Sequence, residues 1–187
     1  MFSNKDLRKL IIPLVIEQLL AVTIGMADTV MVSSCGEAAV SGISLVDSIN
    51  FLLITLFSSL ATGGAVIASQ YIGRGDHKSA SLAAKQLFYA SLALSAVLGV
   101  IAVFFRKPVL NMVFGSIEAD VMAHAQIYFL LSAISYPFLA VYNAGAALFR
   151  SMGDSRTTML ISILMNTINI VGNAILIYGF QMAAAGA

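Results

Sequence analysis

The stretch LIIPLVIEQLLAVTIGMADTVM, from Leu10 to Met31, decides how this sequence is read. A helix crosses the ~30 Å hydrocarbon core of a bilayer with about 20 apolar residues, and this run is long enough. It nevertheless holds two acids, Glu17 and Asp28. An ionised acid at the centre of a spanning helix costs roughly 2.5–3.5 kcal/mol even on the lenient insertion scale, so something must offset both. Their separation is three helical turns plus about 20°, which puts them on nearly one face, about 16 Å apart along the axis. That face is expected to line a cavity. The alternative for Asp28, close to the outer end, is an interfacial acid that reaches water, and the same alternative stays open for Glu17.

Four further stretches are long and apolar enough to span: Ile43 to Ile72, Leu87 to Phe105, His124 to Phe149 and Met159 to Phe180. The expected fold is an all-α integral membrane protein with five transmembrane helices, over 10–31, 43–72, 87–105, 124–149 and 159–180. Composition agrees, with 59% apolar and 10% charged residues against roughly 25% charged in soluble proteins, and a mean hydropathy of +0.93. The bilayer is the expected partner of its surface. A formal charge of +1 leaves no basic footprint for nucleic acid. The single cysteine, Cys35, excludes an internal disulfide, and His77 and His124 stand without metal-ligand spacing.

Short basic loops resist translocation, and eight of the ten basic residues fall on one side of the expected spans: Lys5, Arg8, Lys9, Arg74, Lys78, Lys85, Arg150 and Arg156, against Arg106 and Lys107. The N-terminus is therefore expected in the cytoplasm. A cleaved signal with Val32-Ser33-Ser34-Cys35 as its cleavage site does not fit, because the apolar region exceeds the usual 7–15 residues and contains Glu17, Gln18 and Asp28. Gly75-Asp76-His77-Lys78-Ser79 is echoed by Gly153-Asp154-Ser155-Arg156-Thr157. Turn chemistry explains the echo, with Gly ending one helix and Asp capping the next; a duplicated helix-pair unit is the alternative.

Other polar residues stand where they are expensive. Asn166, Asn169 and Asn173 follow the spacing i, i+3, i+7, one stripe of a helix. The stripe serves either interhelical hydrogen bonding or a polar cavity wall and cation site made of amide oxygens. The fourth span carries Tyr128, Ser132, Ser135, Tyr136, Tyr142 and Asn143 around Pro137, where a kink frees carbonyls, and reads as another cavity wall. Pro13 either bends the first helix or sits harmlessly in its first turn. The small residues Ala61, Gly63, Gly64, Ala65, Ala68 and Ser69 of the second span read as close helix packing. Candidate cavity and substrate residues are thus Glu17, Gln18, Tyr136, Asn143 and Asn166.

These residues resemble a known family. Ile12-Pro13-Leu14 through Gln18, then Met26-Ala27-Asp28-Thr29-Val30-Met31-Val32, is similar to the first helix of multidrug and toxic compound extrusion (MATE) transporters. Ala68-Ser69-Gln70-Tyr71-Ile72-Gly73-Arg74-Gly75-Asp76 resembles the end of their second helix, and Leu148-Phe149-Arg150-Ser151-Met152-Gly153-Asp154 their loop between helices four and five. Asn169 to Asn173 with Ile177-Tyr178-Gly179 resembles helix five. The resemblance implies an antiporter of two six-helix lobes that expels amphipathic, often cationic compounds in exchange for protons or sodium, with no other cofactor. It implies Asp28 as coupling group of the N-terminal lobe, Asn169 and Asn173 facing it as cation-coupling or sodium-binding partners, and Pro13 as a bending point. Some members carry an acid where this chain has Asn173, which leaves Asp28 more alone. Five spans are fewer than twelve, and Ala183-Ala184-Ala185-Gly186-Ala187 resembles the lead into a sixth helix, so a fragment of the N-terminal lobe is expected, completed by a second lobe or a second copy. A membrane scaffold without transport of its own, and a flippase for lipid-linked precursors, remain the alternatives.

Overall fold

Hydropathy marks the part of a helix from which water is excluded, not the point where helical backbone stops. The computed structural model describes residues 4–33 and 36–179. The described chain is five α-helices: α1 Asn4–Ser33, α2 Glu37–Gly73, α3 His77–Phe114, α4 Ala119–Ser151 and α5 Ser155–Ala174, closed by a π-helical turn at Ile175–Gly179. All five are long and apolar enough to cross a membrane. At 37 and 38 residues and about 1.5 Å per residue, α2 and α3 far outreach the hydrocarbon core. The expected connections therefore shrink, that at Gly73 to Lys85 to residues 74–76 and that at Arg150 to Thr158 to residues 152–154. Cys35, Phe180 and the run from Ala183 to Ala187 lie outside the described residues.

Backbone chemistry explains where these helices end. Gly75 and Gly153 adopt φ of +76° and +85°, a region in which a Cβ is strained. At both turns the same pattern of amide donors follows, Gly75 to Ile72 and Asp76 to Tyr71, Gly153 to Arg150 and Asp154 to Phe149, which closes the last helical turn as a Schellman motif does. The next residue then caps the following helix: the Asp76 carboxylate accepts from the Ser79 amide at 3.0 Å and that of Asp154 from the Thr157 amide at 3.1 Å. The two echoing segments thus build the same turn.

Hydrogen bonds from Ser79 and from Thr157 hold the carboxyls of Asp76 and Asp154 below the usual carboxylate range. A lowered folded value means that the caps stabilise fully above the unfolded pKa of about 3.9 and lose that contribution as pH falls through the lower folded value. Asp154→Ala is accordingly expected to lower the melting temperature by a few degrees at neutral pH and to speed amide exchange at Thr157. The gap from the parent protein should close in acid below the folded value, and a gap independent of pH would contradict the cap.

One expected loop is helix. Residues 106–114, part of the expected connection from Arg106 to Met122, continue α3 beyond a kink at Phe105, whose φ and ψ of −112° and 22° leave the helical region. The restart makes Pro108 harmless, because it falls in the first turn of the new segment, where amides have no intrahelical acceptor. Pro13 differs, since α1 begins at Asn4. It lies well past the first turn and deletes the hydrogen bond to the carbonyl of residue 9, so its harmless reading fails.

The core is built by α2, α3 and α4. Val46, Phe57, Leu110, Phe129 and Tyr136 fill one cluster, Ala61, Ala65 and Ala68 pack on Leu87, Ala144, Ala147 and Leu148 in a second, and Val32 of α1 meets Ala39 and Ile43 of α2 in a small third. Small residues allow the close approach. A Cβ on Gly42 would sit 2.9 Å from the backbone of Val121 and Ala125 in α4, and one on Gly99 3.0 Å from the carbonyl oxygen of Ala133. That last carbonyl is the one Pro137 leaves without its i+4 amide, so α3 closes over the gap in α4 with its least bulky residue. Helices α1 and α5 pair with each other and touch the trio more lightly. The outer surface is apolar, with Phe104 and Phe138 each 76% exposed, as hydrocarbon solvent requires.

Candidate functional site

Polar residues of α1, α2, α4 and α5 converge on the seam between the α1–α5 pair and the trio. The step of eleven residues along α1 does place Glu17 and Asp28 toward α5, but they meet different partners. Asp28 accepts a hydrogen bond from Asn173 Nδ2 at 3.0 Å, and the same amide lies 3.4 Å from Asn169 Oδ1 one turn earlier. Asn173 is buried at 7% exposure. Asp28, Asn169 and Asn173 thus form one cluster between α1 and α5. The stripe breaks at Asn166, whose amide donates to Ser162 Oγ in its own helix at 3.1 Å.

A cavity of ≈ 210 Å³ opens beside Asp28, walled by Gly25, Thr29 and Val32 of α1, Val40, Ile43, Ser44 and Asp47 of α2, and Tyr128 of α4. A second, of ≈ 400 Å³, continues along α2 and α4 past Asn50, Ser132, Ser135 and Tyr136 to Asn169. Asp47 and Tyr128 belong to both walls, and the Tyr128 hydroxyl donates to Asp47 Oδ1 at 2.9 Å. Tyr136 is held firmly: its hydroxyl donates to Asn50 Oδ1 at 2.8 Å, and its ring meets Phe57 edge-on at 6.1 Å. The Asn50 amide donates to Ser132 Oγ at 3.2 Å and also hydrogen-bonds the Asp47 carboxylate.

Besides Asn166, three expected cavity residues lie elsewhere. Glu17 lines neither cavity; its Oε1 pairs with Arg150 Nη1 at 3.2 Å, and Thr158 Oγ1 lies 3.4 Å from Oε2. The reason is that α4 runs on to Ser151, which brings Arg150 out of its expected loop and onto the helix. Gln18 is exposed on the surface. Asn143 is satisfied within α4, donating to the Leu139 carbonyl at 2.9 Å. Conversely, Asp47 and Asn50 are absent from the residues expected at the site. Asp47 is an acid inside the expected second span, with Asn50 three residues on, so the cost argument that singles out Asp28 also singles it out. Among the described residues no three His, Cys, Asp or Glu side chains converge as a metal cluster.

This arrangement can be set beside known proteins. The family model MatE matches residues 13–175. The chain belongs to the MatE family. Its relatives include the uncharacterized transporter YisQ of Bacillus subtilis, 30% identical over 168 residues, which cover 89% of this chain and 36% of YisQ. The probable multidrug resistance protein NorM of Thermotoga maritima is 29% identical over 181 residues, 94% of this chain and 38% of that protein. The solved structure of the MATE multidrug transporter DinF-BH superposes with a TM-score of 0.89 at 25% identity, over 98% of this chain and 41% of its own. The chain therefore spans well under half the length of the relatives it matches. MATE proteins are multi-pass membrane transporters and not enzymes, and the five spanning helices give this chain the same multi-pass character.

Proposed function

We propose that the complete protein exports amphipathic, cationic compounds in exchange for protons or sodium by alternating access, and that the two cargoes compete at Asp28. The observation that carries this reading is the setting of Asp28: a carboxylate on a membrane helix, bonded to Asn173, on a cavity wall that holds no Lys, Arg or His. Negative charge there needs a proton, a sodium ion or a cationic group. Ligands that need the same carboxylate exclude each other, and exclusion combined with alternating access is exchange. Rocking requires a second bundle to move against, supplied by a second lobe or a second copy. The reading makes the protein a transporter and not an enzyme, with no cofactor beyond the coupling ion.

Proton and sodium make different demands on Asn173. Its amide nitrogen now faces Asp28 and Asn169, which suits a carboxyl that changes protonation. Sodium takes oxygen ligands, and Asp28, Asn169 and Asn173 supply three only when that amide turns its oxygen inward. The wider cavity, at ≈ 400 Å³, falls in the range of about 300–1,000 Å³ for small-molecule sites. Tyr128, Tyr136, Leu131 and Leu139 offer an apolar and aromatic bed, and the absence of basic residues from its lining disfavours the anionic cargo of a lipid-precursor flippase. The test is reconstitution of the complete gene product. A fluorescent organic cation should move against its gradient when a pH or sodium gradient is imposed and stop when that gradient is collapsed. Flux indifferent to both gradients would refute antiport.

We further propose a cytoplasmic N-terminus, on the eight-to-two distribution of basic residues. On a Cys35→Ser background, Glu37→Cys and Ser116→Cys are expected to react with an impermeant maleimide from outside the cell. His77→Cys should react only after permeabilisation, and the reverse pattern would invert the orientation.

A further inference from the structure

We infer that Asp47 sets the charge preference of the transport site, giving it a second carboxylate where the two cavities meet. The inference rests on the antiport reading above. Asp47 and Tyr128 are the residues common to both linings, and the Tyr128 hydroxyl, 2.9 Å away, fixes the Asp47 carboxylate in place. The cavities differ in what they can hold. At about 30 Å³ per water molecule, the ≈ 210 Å³ beside Asp28 takes an ion and a few waters. The ≈ 400 Å³ beyond Asp47 takes an organic body.

A single positive charge at the junction can be balanced by either carboxylate, so a monocation that loses Asp47 still has Asp28, whereas a dication with its ring system in the wider cavity and a charged extension in the smaller one engages both. Neither lining contains a Lys, Arg or His. The two carboxylates thus repel each other with no basic side chain between them. A ligand with one positive charge balances one of them, and a ligand with two balances both. Charge complementarity of this kind discriminates among ligands of similar shape. The structure accordingly assigns the site a preference for organic dications over monocations of the same ring system, with Asp47 as the residue that confers it.

A purely structural role predicts something else. Asp47 would then serve only to accept from Tyr128 and Asn50, and Asp47→Asn, which keeps an acceptor oxygen and the side-chain volume, would leave the ratio of the two dyes unchanged. The complete protein in proteoliposomes separates these outcomes with two dyes sharing one ring system, ethidium with one fixed charge and propidium with two. The expected result is that Asp47→Asn raises KM for propidium about tenfold or more with kcat little changed, while KM for ethidium moves less than about threefold. Asp47→Glu should keep the parent preference. Asp47→Ser, which removes the charge with a small polar side chain, should reproduce the propidium-selective loss even where Asp47→Asn does not accumulate. An unchanged ratio of the two KM values in Asp47→Asn or Asp47→Ser, with the parent protein moving both dyes, overturns the inference and leaves antiport standing. A parent protein that moves neither dye under either gradient overturns both.

Discussion

Asp28→Asn in the complete protein is expected to cut gradient-driven efflux by about a hundredfold or more, equivalent to roughly 2.7 kcal/mol, because an amide cannot exchange one neutralising cation for another. The variant should insert and accumulate normally. Asparagine matches aspartate in volume, and its oxygen still accepts from Asn173 Nδ2 at the 3.0 Å seen here. What it loses is the ability to be neutralised in two ways, by the coupling ion and by the substrate, and exchange depends on that choice. Asp28→Glu keeps the charge but lengthens the side chain beside a cavity of only ≈ 210 Å³, so partial transport is expected from it. Efflux at the parent rate from Asp28→Asn would remove Asp28 as the coupling group.

The difference between Asp28 and Asp47 shows what local rules of sequence reveal and what they hide. Asp28, Asn169 and Asn173 announce themselves by such rules, since an acid in an apolar run is costly and amides at i and i+4 share a face. Their junction across 145 residues of sequence is not local, yet each half is. The bond between Asp47 and Tyr128, 81 residues apart, depends on the register of α2 against α4. That register is set by close contacts such as Gly42 on the backbone of Val121 and Ala125, which no periodicity reveals. Asn143 and Asn166 mislead for the opposite reason: an amide in a helix can bond within its own helix, to Leu139 and Ser162 here, and then needs no cavity. Helix number is legible because hydrocarbon length is a strong constraint. Helix ends are not, because capping and positive-φ glycines, rather than hydropathy, decide them.

The seam that hosts both cavities is also the weakest packing in the lobe, since α1 leans mainly on α5. Apolar packing of Val32 on Ala39 and Ile43 and a few polar bonds hold the pair to the trio. The bond from Tyr128 to Asp47 is not among them, since it joins α2 to α4 within the trio and stiffens the wall. The ion pair of Glu17 with Arg150 is different in kind, because it joins α1 directly to α4. Any motion of the α1–α5 pair against the trio has to strain or break it.

Arg150→Leu is expected to be more damaging to stability than loss of both members of that pair. Removing one partner of a buried ion pair costs roughly 3–5 kcal/mol, whereas exposed pairs contribute about 0–1 kcal/mol. With side chains 30% and 18% exposed, Arg150 and Glu17 lie between, and Arg150→Leu is expected to lose about 2 kcal/mol. The damage comes from the carboxylate left behind, for which the nearby Thr158 hydroxyl is a poor substitute because it already donates to the Ser155 carbonyl at 2.9 Å. Adding Glu17→Gln should therefore restore much of the lost stability, and a double-mutant cycle followed by thermal unfolding in detergent should give a coupling of about 1–2 kcal/mol. The restored double variant no longer has a charged tie between α1 and α4, so it should also exchange substrate across the membrane with looser coupling to the ion gradient. Equal destabilisation in Arg150→Leu and in the double variant would mean that Arg150 acts through the packing of its aliphatic stem, and the tie would then have no part in holding the seam closed.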